Sequence, residues 1–379
     1  KPAGNGREAI SFQRSPKMST YLLFFAMGDL ERITAKAGDV EIGVVTSRGQ
    51  ASKGGYALEA GQKIIPYYND YFGVPYPLPK LDNVAGPGRS QFFGAMENWG
   101  AIFTFEYYLL NDPKLTTPSQ YQDIFRVTAH EGAHQWFGDL VTMRWWDDLW
   151  LNEGFASWME TKAMAHFNPD WQIDLDHVKG REKAMDLDAM ETTHPVIQKI
   201  ATIDEINQAF DVISYQKGEA VITMLESFAG EDIWRTGLRL YMKRHAYANT
   251  TTDDLWKAVE ESGAKGLVAV AHDFTLKPGI PLVRDSAARC EAGSTRLTLT
   301  QGEYSMDRKA KTDASPLSWQ IPVTAQLLGK DKLRTVISGG KADLTLPGCG
   351  TLLINAGQDG YYRTLYAPDQ LAALKAHFG

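Results

Sequence analysis

Thr117-Pro118-Ser119-Gln120-Tyr121-Gln122-Asp123-Ile124-Phe125-Arg126-Val127-Thr128-Ala129-His130-Glu131-Gly132-Ala133-His134 is the stretch on which the fold turns. Thr117 is placed to cap a helix. Pro118 fills the first helical position, where a missing N–H costs nothing, and Gln120 completes a capping box. Apolar positions recur at Tyr121, Ile124, Phe125, Thr128 and Ala129, so the spacing predicts an amphipathic helix with Gly138 as its stop. At i and i+4, His130 and His134 share one face a turn apart, where two imidazoles can reach one metal ion. Glu131 stands beside them, able to reach a metal-held water without itself ligating. The bland alternative is a solvated helix face with two incidental histidines.

Downstream, helical periodicity continues near 153–166, 171–190, 215–229, 231–245 and 252–262, the last opened by Thr251, Thr252 and Asp253. At Lys277-Pro278-Gly279-Ile280-Pro281 the pattern breaks into a linker. Short alternating runs follow at 296–300, 319–328, 333–338, 351–355 and 361–365, and they read as a small antiparallel β-sandwich; 368–378 reads as one more helix. Upstream, 1–29 reads as strand and turn, 40–46 as a strand, 59–72 as a helix, and 81–110 as strand and loop. The expected fold class is α+β, a mostly helical region with a small mixed sheet followed by a β-sandwich. The chain opens on Lys1-Pro2-Ala3-Gly4 without an initiator Met, which reads as a fragment or a processed form.

Composition sets the outer limits. Over 379 residues, 44% hydrophobic and 22% charged residues are ordinary globular usage. With 39 Lys and Arg against 46 Asp and Glu, the net charge is −7, which argues against a nucleic-acid partner. The longest apolar runs fall short of the ~20 residues of a membrane span. Cys290 and Cys349 form no C-x-x-C pair, which excludes thiolate zinc sites and thioredoxin-like chemistry. They are either one disulfide or two free thiols. A disulfide would mean a periplasmic or secreted protein; otherwise a cytoplasmic location stays open.

A catalytic zinc site takes three protein ligands and keeps one position for water. Glu153, in Asn152-Glu153-Gly154-Phe155-Ala156, follows His134 by 19 positions, and the loop at 145–150 can fold its helix back against the first. Two histidines and a Glu are a ligand set used by thermolysin-like hydrolases. Other residues say less alone. Gly94-Ala95-Met96-Glu97-Asn98 offers backbone that a ligand can approach closely and a carboxylate that can hold an ammonium group. Tyr215, in Tyr215-Gln216-Lys217-Gly218, is either a donor to a developing oxyanion or ordinary core packing.

In this order along the chain, the four motifs resemble the aminopeptidase N family of zinc metallopeptidases (gluzincins). The resemblance covers nearly the whole chain, including Pro16-Lys17-Met18-Ser19-Thr20-Tyr21-Leu22, which looks like the family's strand leading into the catalytic domain. It implies the last strands of an N-terminal β-domain at 1–29 and a thermolysin-like catalytic domain at 30–276. After these would come a β-sandwich domain at 277–366 and the start of a truncated helical domain at 367–379. It implies one Zn2+ per chain held by His130, His134 and Glu153, with Glu131 as general base and Tyr215 stabilising the tetrahedral oxyanion. Glu97 would hold the free α-amino group, the backbone at Gly94 and Ala95 would align the peptide, and Phe93 and Phe210 would wall the pocket for the first side chain. The implied activity is hydrolysis of the N-terminal residue from peptides with a free amine; the oligomeric state stays open. A peptide-binding relative without catalysis is the competing class, and the intact Glu131, Tyr215 and ligand set weigh against it. Gly132 stands where the family commonly has a larger residue. Asp139 and Asp147 stand where relatives often carry Asn, adding negative charge near the site. Asp147, Asp148 and Ser157 are the candidates for bracing the zinc histidines.

Overall fold

A computed structural model describes residues 1–90 and 93–377. The first sheet comprises β1 (Leu30–Ala37), β2 (Val40–Ser47), β3 (Lys80–Gly86), β4 (Ala95–Met96) and β5 (Ala101–Phe105), in the order β1-β2-β3-β5-β4. β1 and β2 pair antiparallel, β3 lies parallel to both β2 and β5, and β4 returns antiparallel on the outer edge. Parallel pairing of β2 with β3 needs a crossover, and α1 (Gly55–Phe72) supplies it. Residues 1–29 hold a 3-10 turn at Thr20–Leu22 and a bridge between Pro2 and Glu8 rather than paired strands.

The capping box forms as read. Gln120 N donates to Thr117 Oγ1 at 3.3 Å and Thr117 N donates to Gln120 Oε1 at 3.0 Å, opening α2 (Pro118–His134). The helix ends at His134, earlier than expected. Asp139 N then donates to His134 O at 3.0 Å, and Gly138, at φ +134°, serves that turn instead of stopping the helix. A short strand, β6 (Val141–Met143), follows and pairs with β7 (Ala248–Thr250). α3 (Trp150–Phe167) begins three residues before Glu153, so the carboxylate lies in its first turn. Tyr68 of α1 donates to Ala129 O of α2 at 2.9 Å, and Phe137 stacks on Phe155 of α3 with centroids 4.3 Å apart. These buried aromatics fix α2 and α3 against each other.

The remaining helices are α4 (Ile173–Asp188), α5 (Ile203–Ala209), α6 (Gly218–Ala229), α7 (Glu231–His245), α8 (Thr252–Glu261) and α9 (Leu267–Thr275). α5 and α9 were not expected: the first has only 7 residues, and the second has an apolar stretch too continuous to show a helical period. The helix read over 215–229 is in fact a π turn at Ile213–Lys217 leading into α6. Gly154 of α3 and Gly218 of α6 meet so closely that a Cβ on either would lie 3.2 Å from the other's Cα. Two motif glycines therefore let the ligand helix and the Tyr215 turn come together.

After Gly279 the chain is mostly sheet. β8 (Ile280–Asp285), β9 (Arg289–Glu291), β10 (Ser294–Tyr304), β13 (Lys341–Pro347) and β15 (Arg363–Leu365) form one sheet; β11 (Ile321–Leu327), β12 (Lys332–Ile337) and β14 (Leu352–Ile354) form the other. Along β11, Ile321, Val323, Ala325 and Leu327 are buried and alternate with half-buried neighbours, the period of a strand packed on one face. Cys290 and Cys349 are joined as a disulfide. A last helix spans Pro368–Lys375; Phe378, in the stretch read as helical, lies outside the described residues. Among the described residues no helix is long and apolar enough to cross a membrane.

Candidate metal centre and active site

His130 Nε2 and His134 Nε2 lie 3.1 Å apart, and each is 3.4 Å from Glu153 Oε2. The other ring nitrogens are occupied: His130 Nδ1 faces Glu160 Oε2 at 2.7 Å and His134 Nδ1 faces Phe137 O at 2.9 Å. A carboxylate and a carbonyl only accept, so both Nδ1 atoms carry the proton and both Nε2 atoms present lone pairs. Three acceptors pointed at one another repel unless a cation stands between them. Two bonds of about 2.05 Å meeting at a tetrahedral angle span about 3.3 Å, so the triangle fits zinc. The surrounding carboxylates favour a positive charge at this point, which in the metal-free protein is a proton on the imidazoles and which a cation would replace. Burial alone would lower His134, but Glu97 and Glu153 raise it to about 9. Burial would raise Glu153, yet the two histidines hold it well below the usual carboxylate range.

The bracing groups are Glu160 and the Phe137 carbonyl, not the expected acids. Asp147 accepts from Ile200 N at 2.7 Å and Asp148 from Thr252 Oγ1 at 2.6 Å, and with both Nδ1 atoms paired none remains for Ser157. Glu160 lies two turns after Glu153 on α3, on the same face, which is the signal that could have found it.

Glu131 is buried at the edge of this triangle. One of its oxygens has no partner among the described residues, and Glu97, Glu131 and His134 offer ligand atoms within 4.8 Å of one another. Burial pushes the Glu131 carboxyl up to about 8, with both imidazoles pulling the other way. Tyr215 rises on the π turn with its ring stacked beside His130, centroids 6.2 Å apart. Burial and the Glu153 charge push its phenol well above the ordinary value, so the hydroxyl keeps its proton. Asp211 Oδ1 accepts from Ile213 N and Ser214 N, at 3.0 and 3.1 Å, and so caps that turn.

Glu97 is buried and follows β4, the edge strand that also carries Ala95. Gly94 O accepts from Phe105 N at 3.0 Å, and a Cβ on Gly94 would press on Tyr108 at 3.2 Å. Gln135, next to the second histidine, is fully buried. Its Nε2 donates to Glu97 O at 3.1 Å and its Oε1 accepts from Gly100 N at 3.2 Å, tying this strand to the end of α2. Phe93 is half-exposed and packs on Phe103 and Phe105, whereas Phe210, also half-exposed, tilts against Trp146. The two phenylalanines thus belong to different aromatic groups. Asp139 does not add the expected free charge. It is buried, neither oxygen has a partner among the described residues, and burial, then Glu97 and Glu131, push it well above the usual carboxylate range.

The model of the peptidase family M1 domain matches residues 56–274. The chain is 36% identical to "Probable aminopeptidase 2" of Sulfurisphaera tokodaii over 95% of its own length and 45% of that protein's. It is 38% identical to "Puromycin-sensitive aminopeptidase" of Caenorhabditis elegans, over 98% and 40% respectively. With "Leucyl aminopeptidase" of Saccharolobus solfataricus it shares 35%, over 96% and 45%. The chain therefore spans less than half the length of these curated relatives. A match over more than half the chain, and relatives aligned along nearly all of it, carry one conclusion: the chain belongs to peptidase family M1.

Proposed function

We propose that this chain carries the active site of a zinc aminopeptidase that removes the N-terminal residue from peptides. One observation carries the reading: three lone-pair donors of a His, His, Glu set converge at 3.1–3.4 Å beside a buried Glu131. His130, His134 and Glu153 would hold one Zn2+, which when bound polarises the scissile carbonyl and brings the pKa of water to about 7. Glu131, buried beside the ligand triangle with a free oxygen among the described residues, takes a proton from the attacking water and passes it to the leaving amine nitrogen. Tyr215 donates its O–H to the oxyanion that develops on the carbonyl, a contribution of about 2.7–4 kcal/mol for one such donor. Glu97 pairs with the free ammonium of the substrate. β4 is an edge strand, so the backbone at Gly94 and Ala95 can pair with an extended peptide. Phe93 and Phe210 serve as walls for the first side chain.

The domain limits proposed are 1–29, 30–276, 277–366 and 367–379. The disulfide supports a periplasmic or secreted location over a reducing cytoplasm. The test of the function is Glu131→Gln. It is expected to keep one zinc per chain by metal analysis while turnover of a leucyl anilide falls by about 10³-fold or more. A near-normal rate with zinc bound would end this reading.

A further inference from the structure

Tyr21 lies ahead of the first sheet and outside the matched residues 56–274, yet it reaches the site. Its hydroxyl is 3.2 Å from Glu97 Oε1 and 3.2 Å from Asn152 Nδ2. A carboxylate only accepts and an amide NH2 only donates, so the bonds run in one direction, from Asn152 to Tyr21 to Glu97. Asn152 adjoins the ligand Glu153, so this short relay joins the metal side of the site to the Glu97 side. The turn that carries Tyr21 is pinned a second time, because Asn98 Nδ2 donates to Leu22 O at 3.3 Å. The Tyr21 ring also tilts against Trp146, centroids 5.7 Å apart, which fixes it from the side. Burial, then the Glu97 charge, push the phenol well above its ordinary value, so it acts as a neutral donor.

We infer that Tyr21 is a positioning residue for amine recognition: it occupies Oε1 of Glu97 and leaves the other carboxylate oxygen to the N-terminal ammonium. This rests on the reading of Glu97 as the amine anchor. A hydrogen bond to a charged group is worth roughly tenfold in binding or more.

The test is Tyr21→Phe in the zinc-loaded chain, which keeps the ring and removes the hydroxyl. Leucinamide affinity by calorimetry is expected to fall about tenfold and KM for a leucyl anilide to rise by a similar factor. kcat, zinc content and the affinity for N-acetyl-leucinamide are expected to stay unchanged. In a Glu97→Gln background the same substitution should add no further loss. Unchanged leucinamide affinity overturns the inference. So does an equal loss with N-acetyl-leucinamide, or a full tenfold loss that persists without Glu97. The two readings fail separately. If Glu97→Gln weakens leucinamide and Tyr21→Phe does not, only the role of Tyr21 falls. If Glu97→Gln has no effect, or the parent chain does not bind leucinamide, both fall.

Discussion

His130, His134 and Glu153 come from two consecutive helices, and their imidazoles are held by partners 3 and 30 residues away. Glu97, a few ångströms off, is held by Gln135 at a separation of 38 residues and by Tyr21 at 76. The ligand triangle is thus a product of one helix pair, while the carboxylate beside it depends on an edge strand, a helix end and a segment ahead of the sheet. Two halves of one site built on such different scales should fail independently, and each half can be broken without the other.

The largest separation is expected from Glu160→Ala. Loss of the partner on His130 Nδ1 should weaken zinc about 10–100-fold in chelator competition, while the zinc-loaded variant still prefers free amines over N-acetylated substrates. A loss of that preference in step with zinc would erase the distinction between the halves. Gln135→Ala is the reciprocal cut. It leaves Glu97 O and Gly100 N without their shared buried partner, so unfolding in urea should show about 1–3 kcal/mol less stability, with zinc affinity nearly unchanged. The smallest effect sharpens the account of the helix pair itself. A Cβ on Gly132 would meet Ile64 and Tyr68 at 3.5 Å, ordinary contact, and a void of about 20 Å³ lies beside it. Gly132→Ala should therefore stabilise the chain by up to about 1 kcal/mol, read as a higher melting temperature with unaltered zinc content.

The same contrast of scale explains what could be read from the amino acids. The capping box at Thr117, the i, i+4 histidines and the following Glu153 are short-range patterns, and the helices at 231–245 and 252–261 likewise carry their period on their face. Gly138 was legible as a glycine that breaks a helix but not as the pivot of the turn that follows His134, because its role depends on where Asp139 N finds a carbonyl. Asp147 and Asp148 looked like braces because they sit near the ligands in sequence; in space Ile200 and Thr252 claim them. The π turn under Tyr215 leaves no distinct period. Tyr21 meets Asn152 across 131 residues, a contact that no local pattern encodes.

The π turn that carries Tyr215 is tied to the sheets after Gly279 through its last residue. Lys217, two residues on, is fully buried with its ammonium 2.7 Å from Asp188 Oδ2, and that carboxylate also accepts from Tyr361 O–H at 2.9 Å and Gly279 N at 2.7 Å. Against the cost of burial, the ammonium holds the Asp188 carboxyl below its usual range. Severing the molecule between 276 and 279 would strip this charged knot of two of its donors and leave an ion pair short of partners in a dry interior, an expensive condition. The sheets beyond the linker are accordingly a keystone for the wall that holds the phenol, and trimming them away would reach the chemistry through Lys217.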